Sequence, residues 1–322
     1  YWQIRGAFAV GDESFTAPHA TARFKVEAEA RSAMDRVQNA HSATVSAIEK
    51  KTRRVAAPAP FNTTSLMAAA AAEGIRPARC MRMAESLYMD GFISYPRVDN
   101  TVYPASLDLA EVVHMLEGNP AYRPYCAQLL SQGPLHATRG KKEETDHPPI
   151  YPTNVATPDT LPAAEFKLYN LIVRRFLATL SDAALIEGTK VSLDVAGEPF
   201  TAKGDVLKEA GFRAIYPYGL KKDEQLPALN QGEQISFGGA TLEQKQTEPP
   251  ARYSQGRLIQ EMEKRGLGTK STRHSIIERL YTVKYIQNDP IEPSALGMAV
   301  CDALGQWAPH ITTADMTAEL DR

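Results

Sequence analysis

The sequence predicts an α+β protein of several domains, in which a strand-rich domain is visited twice by the chain. Three observations carry this. Alternating apolar and polar stretches lie in 1–57 and again in 181–247, on either side of a helical section. Proline clusters at Ala56-Ala57-Pro58-Ala59-Pro60 and Glu248-Pro249-Pro250 cut the chain, since proline ends both ladders and helices. Beyond Pro250 the pattern reads helix, glycine turn, helix. The expected division is a strand-rich domain (1–57 plus 181–247), an inserted helical domain (58–180) and a C-terminal helical, helix-turn-helix-like domain (248–322).

In chain order, Trp2, Ile4, Phe8 and Val10 alternate with more polar or smaller neighbours, as in a half-buried strand. Gly11-Asp12 is a turn signal, and Phe15 to Phe24 returns as further strand. Val26–Ala40 reads as helix and Ser42–Arg54 as strand. Asn62 or Thr63 is placed to cap an alanine-rich helix. Pro77 suits the first turn of the next, where Cys80, Met83, Ala84, Leu87 and Tyr88 form a core stripe. Leu107–Leu116, Ala121–Leu130 and Leu161–Leu180 are further helices, and Arg139–Pro152 is a proline-rich loop. Val191, Leu193 and Val195 alternate, as do Phe212, Ala214 and Tyr216, which reads as strand. Leu258, Ile259 and Met262 pack one helix, Gly266 and Gly268 make a turn, and Ser271 or Thr272 caps the next through Tyr281. Tyr285-Ile286 with Asp289-Pro290 forms a small hairpin, and Ser294–Leu304 is helical.

The chain has 322 residues, 43% of them hydrophobic, which excludes global disorder. A formal charge of −2 excludes an evenly basic nucleic-acid binder, so any such surface must come from local clusters. Those clusters are Lys50–Arg54, Arg139–Lys142 and Arg257–Arg273. Three scattered cysteines, Cys80, Cys126 and Cys301, give neither a disulfide framework nor a zinc site and fit a reducing, cytoplasmic setting. No apolar run has membrane-spanning length. The chain begins at Tyr1 in a strand pattern and ends at Arg322 in a helical one, as expected of a piece of something larger.

Chemistry concentrates in Gly91-Phe92-Ile93-Ser94-Tyr95-Pro96-Arg97-Val98-Asp99-Asn100-Thr101. A residue before proline is driven from the α region, so Tyr95 should sit on an extended or turning segment. Free tyrosine titrates near ~10, so at neutral pH only about one phenol in a thousand is ionised, a shortfall of roughly 4 kcal/mol. A guanidinium such as Arg97 favours the phenolate and forks onto phosphate oxygens. The plainer alternative is a loop tyrosine beside a solvated charge.

This stretch resembles the active-site tyrosine segment of type IA DNA topoisomerases. Three further blocks in the family's order strengthen the resemblance: Pro60-Phe61-Asn62-Thr63-Thr64-Ser65-Leu66, His147-Pro148-Pro149-Ile150-Tyr151-Pro152, and Tyr253-Ser254 through Gly266-Leu267-Gly268-Thr269-Lys270-Ser271-Thr272. Thr269-Lys270 and Arg273 depart from the commoner bacterial pattern and look closer to archaeal-type members or the topoisomerase half of reverse gyrases.

The resemblance implies a toroidal fold and transient cleavage of one DNA strand through a 5′-phosphotyrosyl intermediate, followed by strand passage and religation without ATP. It implies Tyr95 as nucleophile, Arg97 steadying phosphate and phenolate, and His147 holding a phosphate or relaying a proton. Asp99, Arg257, Lys270, Ser271, Thr272 and Arg273 would contact single-stranded DNA. Supercoiled DNA would be the intact protein's substrate, with the protein a monomer.

Mg²⁺ would come from an N-terminal Toprim domain outside this chain, whose acidic pairs Asp12-Glu13 and Asp223-Glu224 are read as turns. The chain alone is therefore expected to bind single-stranded DNA without relaxing supercoils. The rival reading is a non-catalytic nucleic-acid-binding winged-helix or helix-turn-helix module.

Overall fold

The computed structural model describes residues 1–219 and 225–320, so Asp223-Glu224 and Arg322 lie outside the described residues. The chain folds as two compact units.

The first unit comprises residues 1–55, 183–210 and 220–250. Its strands are β1 (Trp2–Val10), β2 (Glu13–Pro18), β3 (Ser42–Val55), β4 (Ala184–Val195), β5 (Glu198–Glu209) and β6 (Gln234–Gln244), with helix α1 (Glu27–Val37). They form one antiparallel sheet ordered β2-β1-β6-β3-β4-β5. Successive side chains of a strand point to opposite faces, so one face is apolar. Ile4, Phe8, Val45, Val191, Leu193, Phe200 and Phe237 are buried there with Ala30, Ala33 and Val37 of α1. Both visits of the chain thus contribute to one core. Strand β2 stops at Pro18, short of the Phe24 that its sequence pattern suggests; Phe24 returns only as an isolated bridge to Trp2.

A charged group is built into this unit. Glu198 is 8% exposed and accepts from Arg36 and, at 2.8 Å, from His19 Nε2, while His19 Nδ1 accepts from the Thr21 N–H at 3.0 Å. With Nδ1 an acceptor, Nε2 carries the proton, so His19 donates to the carboxylate. Burial alone would raise the Glu198 carboxyl, but the hydrogen bonds and charges of Arg36 and His19 outweigh it and hold the group below its usual range.

The second unit comprises residues 56–182, 211–219 and 251–322. It contains α2 (Thr63–Ala72), α3 (Pro77–Met89), α4 (Leu109–Leu116), α5 (Arg123–Ser131) and α6 (Ala163–Thr179). Then follow α7 (Gln255–Lys264), α8 (Arg273–Thr282), the short strands β7 (Ile286–Gln287) and β8 (Glu292–Pro293), α9 (Ala295–Trp307) and α10 (Ala314–Leu320). Asn62 caps α2 through a full capping box with Ser65, and Asp108, Ser254 and Ser294 cap α4, α7 and α9. The α3 stripe of Cys80, Met83, Ala84 and Leu87 is buried, and burial pushes the Cys80 thiol up to about 12, so it packs as a hydrophobe.

Three local readings are corrected. Phe212, Ala214 and Tyr216 do not form a strand: Gly211–Ala214 is a 3₁₀ turn whose Phe212 N–H donates to Asp182 at 2.8 Å. Phe212, Ile215 and Tyr216, spaced i, i+3, i+4, are the buried set, a helical spacing that overrides three alternating residues. Tyr88 leaves the α3 core stripe and is 40% exposed. Thr272 takes the N-cap position of α8 without a side-chain cap bond, because its hydroxyl accepts instead from the Thr269 N–H at 2.9 Å.

Because the folded Glu198 carboxyl lies below its unfolded value, its stabilisation is complete above the ordinary glutamate range of about 4.3 and is lost as pH falls through the folded value. Glu198→Gln is expected to lose about 1–3 kcal/mol at neutral pH. The gap from native should narrow steadily in acid when urea unfolding is followed against pH; a pH-independent gap would contradict the assignment.

Candidate active site

All the residues singled out in the sequence for chemistry, Tyr95, Arg97, Asp99, His147, Arg257 and 270–273, lie in the second unit. Helix α3 ends at Met89 with Asp90 as its C-cap, and Gly91 at φ +78° turns the chain out of it, a left-handed conformation glycine adopts without strain. The next residues form an irregular strap. Its backbone groups must find partners, and two segments supply them.

The first is the loop 150–153. Ser94 N–H donates to the Tyr151 carbonyl at 2.9 Å, Thr153 N–H to Phe92 at 2.9 Å, and Ile93 bridges Pro152. Ser94 Oγ accepts from Tyr151 N–H at 3.0 Å and donates to Pro149 at 3.2 Å. The second is the start of α2. The buried Thr63 hydroxyl accepts from Val98 N–H at 2.8 Å and lies 2.7 Å from the Pro96 carbonyl, to which it donates. Thr63 N–H donates to Val98 O at 2.9 Å, and Asn62 Nδ2 reaches the Asp99 carbonyl at 3.3 Å. Tyr95 is thus bracketed on both sides by pinned residues.

Tyr95 itself is half-buried, and among the described residues its hydroxyl has no hydrogen-bond partner. Its ring stands 4.8 Å from the His147 ring, centroid to centroid, and 5.3 Å edge-on from Tyr88. His147 is exposed with a free ring, while its backbone is fixed: its N–H donates to Asp146 Oδ1 at 2.8 Å and its carbonyl accepts from the buried Asn100 at 3.0 Å. The structure therefore brings together the tyrosine and the histidine that the sequence separates by a long helical stretch.

Arg97 points elsewhere than to the phenol. Its Nε donates to Glu85 Oε1 at 2.8 Å, Nη2 donates to the same oxygen, and Nη1 donates to the Ser271 carbonyl at 3.3 Å. A guanidinium has five N–H donors, so two remain uncommitted. Beside it lies a ring of opposed charges. Lys270 Nζ sits 3.4 Å from Asp146, 3.9 Å from Glu144 and 4.0 Å from Asp99. Lys142 Nζ sits 2.7 Å from Glu263 and 3.8 Å from Asp99. Asp99 turns Oδ1 inward without a hydrogen bond, compensated by those ammonium groups alone. The His147 N–H, with Lys270 alongside, holds the Asp146 carboxyl below the usual carboxylate range.

Gly266 (φ +68°) and Gly268 (φ +65°) shape the turn between α7 and α8. Arg273, expected at a DNA strand, is only 8% exposed and spends its guanidinium inside the protein, on the Leu267 carbonyl at 3.1 Å and the Gly268 carbonyl at 2.9 Å. Ser271 and Lys270 are half-buried on the same turn, Thr272 is exposed, and Arg257 is exposed on α7 with its guanidinium 5.7 Å from the Tyr253 ring.

Sequence reasoning missed Thr63, Glu85, Tyr88, Ser94 and Asn100. For Glu85 and Tyr88 a signal existed: with Arg82 they recur every three residues, on the α3 face opposite the apolar stripe. For Thr63 there was none beyond its place beside the cap. Among the described residues no three His, Cys, Asp or Glu stand together as a metal site, and Asp99 and Asp146 are engaged by Lys270. The donor set present does not fit a magnesium ion.

A half-buried phenol thus stands on a pinned strap with an imidazole ring 4.8 Å from its own. Residues 1–322 match the family model described as DNA topoisomerase, and the chain belongs to that family, in its type IA branch. It is 46% identical over 265 residues to DNA topoisomerase 1 of Archaeoglobus fulgidus, covering 82% of this chain and 39% of that protein. It is 35% identical over 326 residues to DNA topoisomerase 1 of Pyrococcus horikoshii, covering 100% of this chain and 47% of that protein. Human DNA topoisomerase 3-alpha is 31% identical over 283 residues (87% and 28%). The chain thus spans less than half the length of these relatives. The full-length topoisomerase I structure from Thermotoga maritima shares the fold, with TM-score 0.77 at 24% identity, over 100% of this chain and 54% of that one.

Thr63→Val leaves the Val98 N–H without an acceptor and is expected to cost about 1–3 kcal/mol, whereas Thr63→Ser keeps the bond. Hydrogen exchange at Val98 should quicken in the first variant and not in the second.

Proposed function

We propose that this chain is the tyrosine-bearing portion of a DNA topoisomerase that cuts one strand, passes another through the gap and reseals it. The observation that carries this is the free Tyr95 hydroxyl on a strap pinned by Thr63 and Ser94, with the His147 ring 4.8 Å from the phenol ring.

In the proposed step the Tyr95 oxygen attacks a backbone phosphorus and loses its proton. A 5′-phosphotyrosyl bond forms, the bond from phosphorus to the 3′ oxygen breaks, and that oxygen leaves as a protonated hydroxyl. Religation is the reverse, so the bond energy is conserved and two reversible steps replace one difficult one. His147 is placed to hold a phosphate oxygen or carry the proton, since histidine changes charge near neutral pH. Arg97 offers its two uncommitted donors to the phosphate, and a phosphate oxygen can displace Glu85 from the fork.

Ser271, Thr272 and Lys270 would follow the strand's backbone, Lys270 exchanging its carboxylates for phosphates, with Arg257 beside them. Asp99 acts by orienting Lys142 and Lys270. We assign Arg273 to bracing the turn. We read the helical segments 58–180 and 248–322 as separate domains of a toroidal whole, and 1–57 with 181–247 as its strand-rich domain. Magnesium dependence belongs to this reading for the intact enzyme.

With the intact protein, a labelled single-stranded oligonucleotide should become covalently attached, resistant to denaturant. Tyr95→Phe should abolish the adduct and leave binding within about twofold; an adduct formed by that variant would remove Tyr95 from the role. The chain of residues 1–322 alone, with magnesium, should bind the oligonucleotide but leave a negatively supercoiled plasmid unrelaxed on a gel, and relaxation would refute the division of labour.

A further inference from the structure

Away from the phenol, a cavity of about 360 Å³ opens between α3 and α8, lined by Arg76, Arg79, Arg82, His274, Glu278 and Tyr281 among others. Its volume lies in the range of small-ligand sites. Tyr95, Arg97, His147 and Lys270 do not line it.

The wall is strongly cationic. Arg76, Arg79 and Arg82 recur every three residues, which puts them along one side of α3. Arg76 is the N-cap and Pro77 follows it, so the helix adds its own positive end and its unpaired N–H groups. Glu278 supplies the carboxylate, paired with Arg82 at 3.1 Å, but both side chains are more than half exposed, and such a pair is easily exchanged. Among the described residues the Arg76 and Arg79 side chains have no hydrogen-bond or ion-pair partner.

The floor carries the second observation. His274 Nδ1 is buried and has no hydrogen-bond partner among the described residues. Leaving such an atom unpaired costs free energy; it lies beneath the accessible surface, and the rest of the half-buried imidazole lines the cavity. Burial first, and then the Arg97 guanidinium, hold this imidazole below its usual range. The charged groups facing it are Arg97, Arg82, Glu85 and Glu278.

An anion completes this arrangement. Planar guanidinium forks match tetrahedral oxyanions with several oxygens, and more than one fork on one face favours a phosphate over a single carboxylate. We propose that the α3–α8 cavity binds a phosphate group, held by Arg76, Arg79 and Arg82 with His274 beneath it. The group is either a free phosphate or a phosphodiester of a nucleic-acid strand. The inference does not rest on Tyr95 acting as a nucleophile.

The test uses the full chain with ¹⁵N-labelled histidine, the His274 signals being assigned by their loss in His274→Gln. Inorganic phosphate and a thymidine oligonucleotide are titrated separately. A phosphate lodged beside the ring should raise the His274 titration midpoint, and Arg79→Gln with Arg82→Gln, both exposed and outside the Tyr95 strap, should cancel the rise. A rise with both probes identifies a site for free phosphate as well as strand; a rise with the oligonucleotide alone identifies a strand subsite, and the double variant should then flatten the salt dependence of binding by about one phosphate contact or more. If neither probe moves His274, or the double variant responds as native, the cavity is not a phosphate site. Oligonucleotide binding with a silent His274 defeats this inference alone, whereas absence of all oligonucleotide binding defeats the proposed function and leaves the phosphate titration to decide the cavity.

Discussion

The second unit is organised by the need to satisfy the backbone of one irregular strap. Residues 92–99 are neither helix nor sheet, and much of that segment is buried. Buried amides without partners are costly, and no ladder is available here. The Thr63 hydroxyl solves most of the problem by accepting from Val98 and donating to Pro96, and Ser94 repeats the device with Tyr151 and Pro149. Both hydroxyls sit on well-supported segments, one at a boxed helix start and one locked to a proline-rich loop. A phenol between two such points has its backbone fixed while its own hydroxyl stays free. That suits a nucleophile, since attack needs a defined geometry and an unspent oxygen.

The charges follow a different rule. Arg97, Lys142 and Lys270 are all matched with carboxylates, yet the matches are long or partly exposed, and pairs of that kind contribute little to stability. Their value lies in being exchangeable. In the proposed function a phosphate strand would bring a concentrated negative charge and release counterions as it docks, and so compete well with scattered carboxylates. The overall charge of −2 is no obstacle to this. What matters is that the cations near the strap are held in place and only partly consumed.

How far this was legible in the sequence depends on the range of each interaction. The extended Tyr95 segment followed from Pro96, the start of α2 from Asn62, and the α3 stripe from helical periodicity, all local rules. The sheet shared by 1–55 and the strands after 183 was legible because alternation recurs on both sides of the helices. Thr63 as a clamp was not, since the hydroxyl and its partners are more than thirty residues apart and only the fold joins them. For Arg273 the sequence shows a cation at a helix start, which looks available for phosphate, but not that the glycine turn folds two carbonyls onto it. Tyr88 was misread because it adjoins Leu87, and one residue along a helix, about 100°, separates core from surface.

The strap and the α7–α8 turn are joined in a way that separates stability from recognition. Arg97 reaches the Ser271 carbonyl, Lys142 reaches Glu263, and Arg82 reaches Glu278, so three cations of the tyrosine-bearing segment bind α7, α8 or the turn between them. None of these contacts is strong enough to hold two helical segments together. The apolar crossing of α2 and α7 is: a Cβ on Gly256 would come within 2.9 Å of the Ala71 Cβ and 3.3 Å of the Ala68 carbonyl, so only glycine permits that approach. Close packing of this kind is sensitive to a single methyl group but indifferent to salt, whereas the ion pairs are the reverse. Under the proposed function, a nucleic-acid strand entering beside Tyr95 would therefore replace the charged contacts one by one without first unseating the helices that carry them.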